Sequence, residues 1–289
     1  MAAQYVERFV VAPDRVRLFV RDYPALGGEK GSPVVCLHGL TRNSADFESL
    51  APFIAQTGRR VLALDVRGRG RSDRDPDPTH YRPDVYARDA LLTLDELSVR
   101  QAVFIGTSMG GLITMFVAAV APNRIRAVVL NDVGPVLNPA GIARIAAYVG
   151  NVGPFANWQA FNETIRTLQA ARYPGTGDEF WSTMAHRVGR ELSDGRILFD
   201  YDPAIALGFS QPAGAAPPDL GALFSAMAAK PILVLRGALS DLLAPEGVAA
   251  MQKLSPGLKT VEVPDVGHAP TLDEAISRRA IAQFLAAIP

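Results

Sequence analysis

Hydrophobic and polar positions change their period several times along the chain, and each change predicts a different element. Residues 5–11 and 16–23 are rich in β-branched and aromatic side chains and flank a Pro13-Asp14 turn, which predicts a hairpin. From Pro33 onward, short and continuously apolar runs take over: PVVCL (33–37), RVLALD (60–65), AVFIGT (102–107), IRAVVL (125–130), PILVLR (231–236) and a weaker LKTVEV (258–263). Runs apolar on both faces suit parallel strands covered by helices on either side. The stretches between them repeat with helical spacing, as in Phe47, Leu50 and Ile54, and again in Tyr86, Ala90, Leu94 and Leu97. A last helix is expected to open at the capping-box spacing Thr271-x-x-Glu274 and to turn Ile276, Phe284, Leu285 and Ile288 inward. Strand–helix alternation of this kind predicts an α/β fold with a parallel sheet between helices.

The alternation fails between about residues 134 and 222, where the apolar spacing is helical only. Trp158, Phe161, Ile165 and Leu168 form one stripe and Trp181, Met184, Val188 and Leu192 another, with Gly175, Gly177 and the 211–218 stretch QPAGAAPP as punctuation. The division expected is therefore a core of residues 1–133 and 223–289, interrupted by a helical insertion at 134–222. No internal repeat or long low-complexity tract is present.

Composition narrows the function classes. With 48% hydrophobic residues in 289, there is material for a large core. Lys+Arg and Asp+Glu stand at 29 each, so there is no basic excess of the kind a nucleic-acid partner usually demands. The opening MAAQYVERFV lacks the apolar stretch of a signal peptide. The longest apolar run, near 110–121, is shorter than the ~18 residues a spanning helix needs. The single cysteine, Cys36, excludes an internal disulfide. These features predict a soluble cytoplasmic protein whose partner is a small molecule, with neither nucleic acid nor membrane. Oligomeric state is not legible.

The strongest chemical signal is Gly106-Thr107-Ser108-Met109-Gly110, followed by Gly111, between a strand-like and a helix-like run. This is the context of a G-x-S-x-G nucleophile elbow. A serine on so tight a turn needs small neighbours two residues to either side, and the turn aims a helix N-terminus at the developing oxyanion. A serine hydroxyl needs a base. Among four histidines, His268 in Val266-Gly267-His268-Ala269-Pro270 follows the last strand, at the sheet edge where catalytic groups collect in open α/β folds. His38, in Leu37-His38-Gly39-Leu40, is placed to shape a loop and is a candidate substrate contact. Gly39 lets the backbone approach, making the N–H groups of Leu40 and Met109 candidate oxyanion donors. His80 and His186 read as solvated or structural.

The acid that orients His268 has two candidates, each after a strand: Asp241 in Gly237-Ala238-Leu239-Ser240-Asp241 and Asp132 in Asn131-Asp132-Val133-Gly134-Pro135. Asp241 is favoured because its loop best matches the order Ser, Asp, His. The bland reading of Asp132 is a turn or cap.

Other motifs carry less. Residues 65–72 (DVRGRGRS) contain G-x-G, but Asp73 stands where a dinucleotide fingerprint needs its third glycine. The arginines at 67, 69, 71 and 74 are offset by Asp65, Asp73, Asp75 and Asp77, which predicts an ion-paired loop. No P-loop occurs, and no residues have metal-ligand spacing, so neither a metal nor a cofactor is expected. Cys36 reads as core. Asn162-Glu163-Thr164 matches a glycosylation sequon and reads as helix surface.

Taken together, His38-Gly39, the Asp65-x-Arg67-Gly68-x-Gly70-x-Ser72 loop, the 106–110 elbow, Asp241 and Gly267-His268 resemble the α/β-hydrolase superfamily over nearly the whole chain. The resemblance implies an eight-stranded, mostly parallel sheet, a helical cap after the sixth strand, and oxyanion N–H groups from Leu40 and Met109. It implies a serine hydrolase. Members with an aspartate nucleophile match poorly, and the loop His38-Gly39-Leu40-Thr41-Arg42-Asn43 departs from the glycine-rich loops of carbon–carbon hydrolases and prolyl aminopeptidases. A carboxylesterase acting on small esters is the leading expectation. A lactonase or carbon–carbon bond hydrolase with the same triad is the alternative, and a non-catalytic binding protein the remote one. Phe155, Trp158, Phe161 and Trp181 are candidate pocket walls, against the plainer reading that such stripes are cap core.

Overall fold

The computed structural model describes residues 5–209 and 218–289. The chain opens with the hairpin β1 (Val6–Val11) and β2 (Arg17–Tyr23), paired antiparallel. Then follow β3 (Val34–Leu37), α1 (Leu50–Ala55), β4 (Val61–Leu64), α2 (Pro83–Glu96), β5 (Ala102–Thr107), α3 (Met109–Val120) and β6 (Ile125–Asn131). Beyond β6 come α4 (Pro139–Tyr148), α5 (Trp158–Gln169), α6 (Asp178–Val188), the short hairpin β7 (Gly189–Glu191) and β8 (Ile197–Phe199), and α7 (Leu220–Ser225). β9 (Ile232–Gly237), α8 (Pro245–Leu254), β10 (Lys259–Val263) and α9 (Ala275–Ala286) complete it.

Eight strands form one sheet in the order β1-β2-β4-β3-β5-β6-β9-β10. It is antiparallel across β1, β2 and β4 and parallel from β4 to β10. Strands β3, β4 and β9 are buried at every residue, as their unbroken apolar runs require. Alternate side chains serve opposite layers. Val35, Leu37 and Phe104 pack with Ala90 and Leu94 of α2, Ile113 and Val117 of α3, and Phe224 of α7. Val34, Cys36, Val103 and Ile105 pack with Leu50 and Ile54 of α1 and with Ile281 and Leu285 of α9. No helix among the described residues is long and apolar enough to cross a membrane.

The segment between β6 and β9 departs from the helical-only expectation, because β7 and β8 pair antiparallel within it. Three-residue strands, one of them Gly-Arg-Glu, are too short and polar to show a period. The Asp194-Gly195 turn, with Gly195 at φ 82°, is the signal that marks them. Asn157 caps α5 by accepting the Ala160 N–H at 3.0 Å. α6 carries Asp178 and Glu179 in its first turn and His186 and Arg187 in its last, matching the helix dipole. Phe161, Ile165, Trp181, Met184, Val188 and Ile197 form an apolar cluster of their own. α7 instead packs Phe224 into the main core. Of the expected 211–218 punctuation, residues 211–217 lie outside the described residues.

At the C-terminal helix, Glu274 does reach back to the Thr271 N–H at 2.7 Å, but α9 begins only at Ala275. That later start rotates Ile276 outward and leaves it 38% exposed, while Ile281 faces the core.

Candidate active site

β5 runs into α3 through one residue, Ser108, at φ 51° and ψ −114°. A non-glycine residue holds that conformation only where the surroundings impose it. A Cβ on Gly106 would lie 2.5 Å from the backbone of Gly110 and Gly111, and one on Gly110 would lie 2.0 Å from the Leu37 carbonyl oxygen. Strand and helix approach through these two glycines, leaving Ser108 at the apex of the turn.

His268 Nε2 lies 2.9 Å from Ser108 Oγ, and His268 Nδ1 lies 2.7 Å from Asp132 Oδ2. With Nδ1–H directed at the carboxylate, Nε2 is free to accept the serine proton. Asp132 is fully buried and sits just past β6 at φ 57°, its N–H donating to the Leu235 carbonyl at 2.8 Å. The Gly237 N–H donates to its Oδ1 at 2.9 Å, and the Ser240 hydroxyl to its Oδ2 at 2.6 Å.

The acid beside His268 is therefore Asp132, and the expectation for Asp241 is corrected. Ser240 turns inward to Asp132, which sends the next side chain outward. Asp241 forms a two-pronged ion pair with Arg144 of α4, through Nε and, at 2.8 Å, Nη2. Partial burial would raise the Asp241 carboxyl, but the Arg144 guanidinium overrides it and holds the group below the usual carboxylate range. Both loops leave the same sheet edge, so chain order alone did not separate the two.

The N–H groups of Leu40 and Met109 have no partner among the described residues. Gly39 brings the Leu40 loop close: a Cβ there would lie 3.9 Å from Ser108 Cβ. His38 does not reach the cavity. Fully buried, it donates from Nδ1 to the Gly39 carbonyl at 2.7 Å and accepts the Val66 N–H at Nε2, 3.0 Å away. Burial pushes its pKa down, so it stays a neutral scaffold for the loop and is corrected as a substrate contact.

A cavity of about 110 Å³ opens over Ser108 and His268. Its far wall comes from the segment after β6, including Ile145, Tyr148, Leu168, Tyr173 and Arg187, with Arg42 from the Leu40 loop. Phe155, Trp158, Phe161 and Trp181 are not in it. They pack on one another and on neighbouring helices, so these four are core rather than pocket wall. The cavity takes Ile165 and Leu168 from the far end of the same stripe of α5, Met184 and Val188 from α6, and Tyr173 from the turn beyond α5.

That turn also grips the histidine loop. The Arg172 carbonyl accepts the Gly267 N–H at 2.7 Å, and the Tyr173 hydroxyl donates to the Ala269 carbonyl at 2.7 Å, bracketing His268. Sequence reasoning passed over both residues, because a tyrosine in a Gly/Pro-rich turn carries no periodic signal.

The remaining candidates are structural. His186 stacks on Trp158 with ring centroids 4.3 Å apart, and Cys36 is buried, which pushes its thiol up. The 65–72 loop is ion-paired: Arg67 is enclosed by Asp14, Asp75 and Asp89, and Arg71 meets Glu7. Asp14, Asp75 and His80 lie close enough together to suit a metal, but the Arg67 guanidinium already bonds both carboxylates.

A family model described as alpha/beta hydrolase fold matches residues 32–275. The chain is 37% identical over 252 residues to a 3-hydroxybutyrate-oligomer hydrolase of Cupriavidus necator, covering 84% of this chain and 85% of the relative. It is 30% identical to a 2-(acetamidomethylene)succinate hydrolase of Mesorhizobium japonicum, covering 89% and 90%. A crystal structure of an alpha/beta hydrolase from Novosphingobium aromaticivorans superposes with a TM-score of 0.91 at 43% identity, covering 98% and 99%.

Proposed function

The chain belongs to the α/β-hydrolase fold family, and on that premise we propose that it hydrolyses small carboxylic esters through an acyl-enzyme on Ser108, with His268 as base and Asp132 as its acid. The observation that carries the reading is the continuous hydrogen-bond chain from Ser108 through His268 to Asp132, at 2.9 and 2.7 Å.

Ser108 Oγ attacks the ester carbonyl as its proton passes to His268 Nε2. Asp132 stabilises the imidazolium without taking its proton. The N–H groups of Leu40 and Met109 receive the oxyanion, where preorganised donors act most strongly. His268 then protonates the leaving alkoxide, and water attacks the acyl-enzyme by the same route. The segment after β6 serves as the cap of the acyl site.

The cavity of about 110 Å³ supports a short acyl group. Its walls are largely apolar, with Ile145, Ile165, Leu168 and Met184 among them, which suits a short acyl chain such as a butanoyl or hydroxybutanoyl unit. A relative acting on 3-hydroxybutyrate oligomers is consistent with an ester of that size. The relative whose substrate is 2-(acetamidomethylene)succinate supports a second reading, hydrolysis of another acyl bond by the same three residues.

The test is a p-nitrophenyl ester series from acetyl to octanoyl, with Ser108→Ala beside the native protein. Turnover is expected to peak near butanoyl and to fall by about 10⁶ in the variant. A fluorophosphonate probe should label the native protein at Ser108. A folded native protein that neither turns over an ester nor takes the label would overturn the reading and leave a binding function.

A further inference from the structure

The wall of the Ser108 cavity has an outer side. Beyond it lies an open groove of about 380 Å³, and the two spaces share Arg42, Met184, Arg187 and Thr271. Thr271 stands three residues after His268, the group that protonates the leaving alcohol in the proposed reaction. His268 to Thr271 all line the cavity, so the groove adjoins it at the end of the histidine loop.

Two cations stand in this wall, each fixed along part of its guanidinium. Arg42 gives Nε and Nη2 to Asp46, with Nη2–Oδ1 at 2.6 Å. Arg187 gives Nε to Glu48 at 2.8 Å and Nη1 to Asp273 at 3.0 Å. Arg42 Nη1 and Arg187 Nη2 have no acceptor among the described residues. An arginine carries five N–H donors, so the acids orient these groups without exhausting them. Burial would lower both guanidinium pKa values, but their acids hold them above the ordinary value, so both stay charged. One remaining amino group on each of two oriented, charged guanidinium groups gives a donor for each oxygen of a carboxylate.

We propose that this groove is a leaving-group subsite in which Arg42 and Arg187 bind a carboxylate, so that the preferred substrate is an ester whose alcohol half is itself a hydroxy acid. The inference rests on the esterase reading above. The Ser108 Oγ–acyl bond forms, the acyl C–O bond to the hydroxy acid breaks, and His268 delivers to the departing oxygen the proton taken from Ser108. The hydroxy acid leaves through the groove with its carboxylate still ionised, and water releases the acyl group.

The experiment compares the free-acid dimer of 3-hydroxybutyrate with its methyl ester, using p-nitrophenyl butyrate as a reference. The native protein should prefer the free acid by at least tenfold in kcat/KM, and the preference should shrink with added salt. Arg42→Met should bring the ratio towards one, and Arg42→Lys should retain more of it. Because a variant can fail to fold, inhibition is measured on the native protein as well. 3-Hydroxybutyrate should compete with p-nitrophenyl butyrate at a concentration at least tenfold below that of its methyl ester. Equal use of the two dimers, or equal inhibition by the two products, overturns the subsite while leaving the esterase intact. No turnover of any of the three esters overturns the esterase reading and the subsite together.

Discussion

Asp132 and His268, 136 residues apart in the chain, meet at 2.7 Å over the carboxyl ends of three neighbouring parallel strands, Asp132 following β6 and His268 following β10 with β9 between them. The Asp132 carboxylate also takes the Gly237 N–H and the Ser240 hydroxyl, so three donors converge on one buried acid. A carboxylate held this way cannot rotate off the imidazole without leaving a buried donor unpaired.

That arrangement separates the two acids by experiment. Asp132→Asn should lower kcat by roughly 10⁴, the scale expected when the group orienting a catalytic histidine can no longer hold its tautomer. Asp241→Asn should leave kcat within a few-fold and cost at most about 1 kcal/mol, as befits a partly exposed ion pair. The Asp241 carboxyl is held below its ordinary value of 3.8, so its contribution is complete above that value and fades as pH falls through the lower folded pKa. Ester turnover and urea midpoints of both variants check this, and the opposite ranking in turnover would restore Asp241.

The two acids also show where sequence reasoning stops. The unbroken apolar runs and the elbow are local features, and residues 102–111 fold as their pattern requires. The choice between Asp132 and Asp241 is not local, since it turns on whether Ser240 points inward. The same limit explains the aromatic stripes. Trp158 and Phe161 have the spacing of a buried face, but spacing does not say whether that face meets a cavity or another helix. The α5 stripe in fact does both, Trp158 and Phe161 packing among the other aromatic side chains while Ile165 and Leu168 line the cavity with Tyr173 beyond them.

The elbow makes a steric prediction. At Gly110 a methyl group would collide with the Leu37 carbonyl, a backbone atom fixed in the sheet. Gly110→Ala should therefore destabilise the fold by about 3 kcal/mol or more. Gly257→Ala, where nothing lies within 4 Å, should be close to neutral. Thermal melts of the two variants make the comparison, and a Gly110→Ala protein as stable as the parent would contradict the packing described for the turn.

Tyr173 offers a test of coupling between the segment after β6 and the histidine. Phenylalanine keeps the ring in the cavity wall but removes the hydroxyl that donates to the Ala269 carbonyl. Tyr173→Phe should lower kcat about tenfold, equivalent to ~1.4 kcal/mol, with a smaller change in KM. The rate of fluorophosphonate labelling should fall in parallel. A raised KM with unchanged kcat would instead assign Tyr173 to substrate contact alone.

Asp200 ties the same segment to the core, its carbonyl accepting the Gly70 N–H at 3.0 Å and its N–H donating to Val188 at 2.8 Å. Burial lifts its carboxyl to about 6, with Arg190 opposing the rise and Asp65 adding to it. A carboxyl with a raised folded pKa binds its proton more tightly in the native state. Between about 3.8 and 6 the folded protein therefore holds more protons than the unfolded chain, and stability falls as pH rises through that window. A shift of this size corresponds to at most about 3 kcal/mol, reached above pH 6. Asp200→Asn keeps an acceptor for Arg190 but cannot ionise, so it should be more stable than the parent at pH 8 and no more stable at pH 4. Urea midpoints at the two values measure this, and parallel pH profiles for parent and variant would show that Asp200 ionises in the folded protein as it does in water.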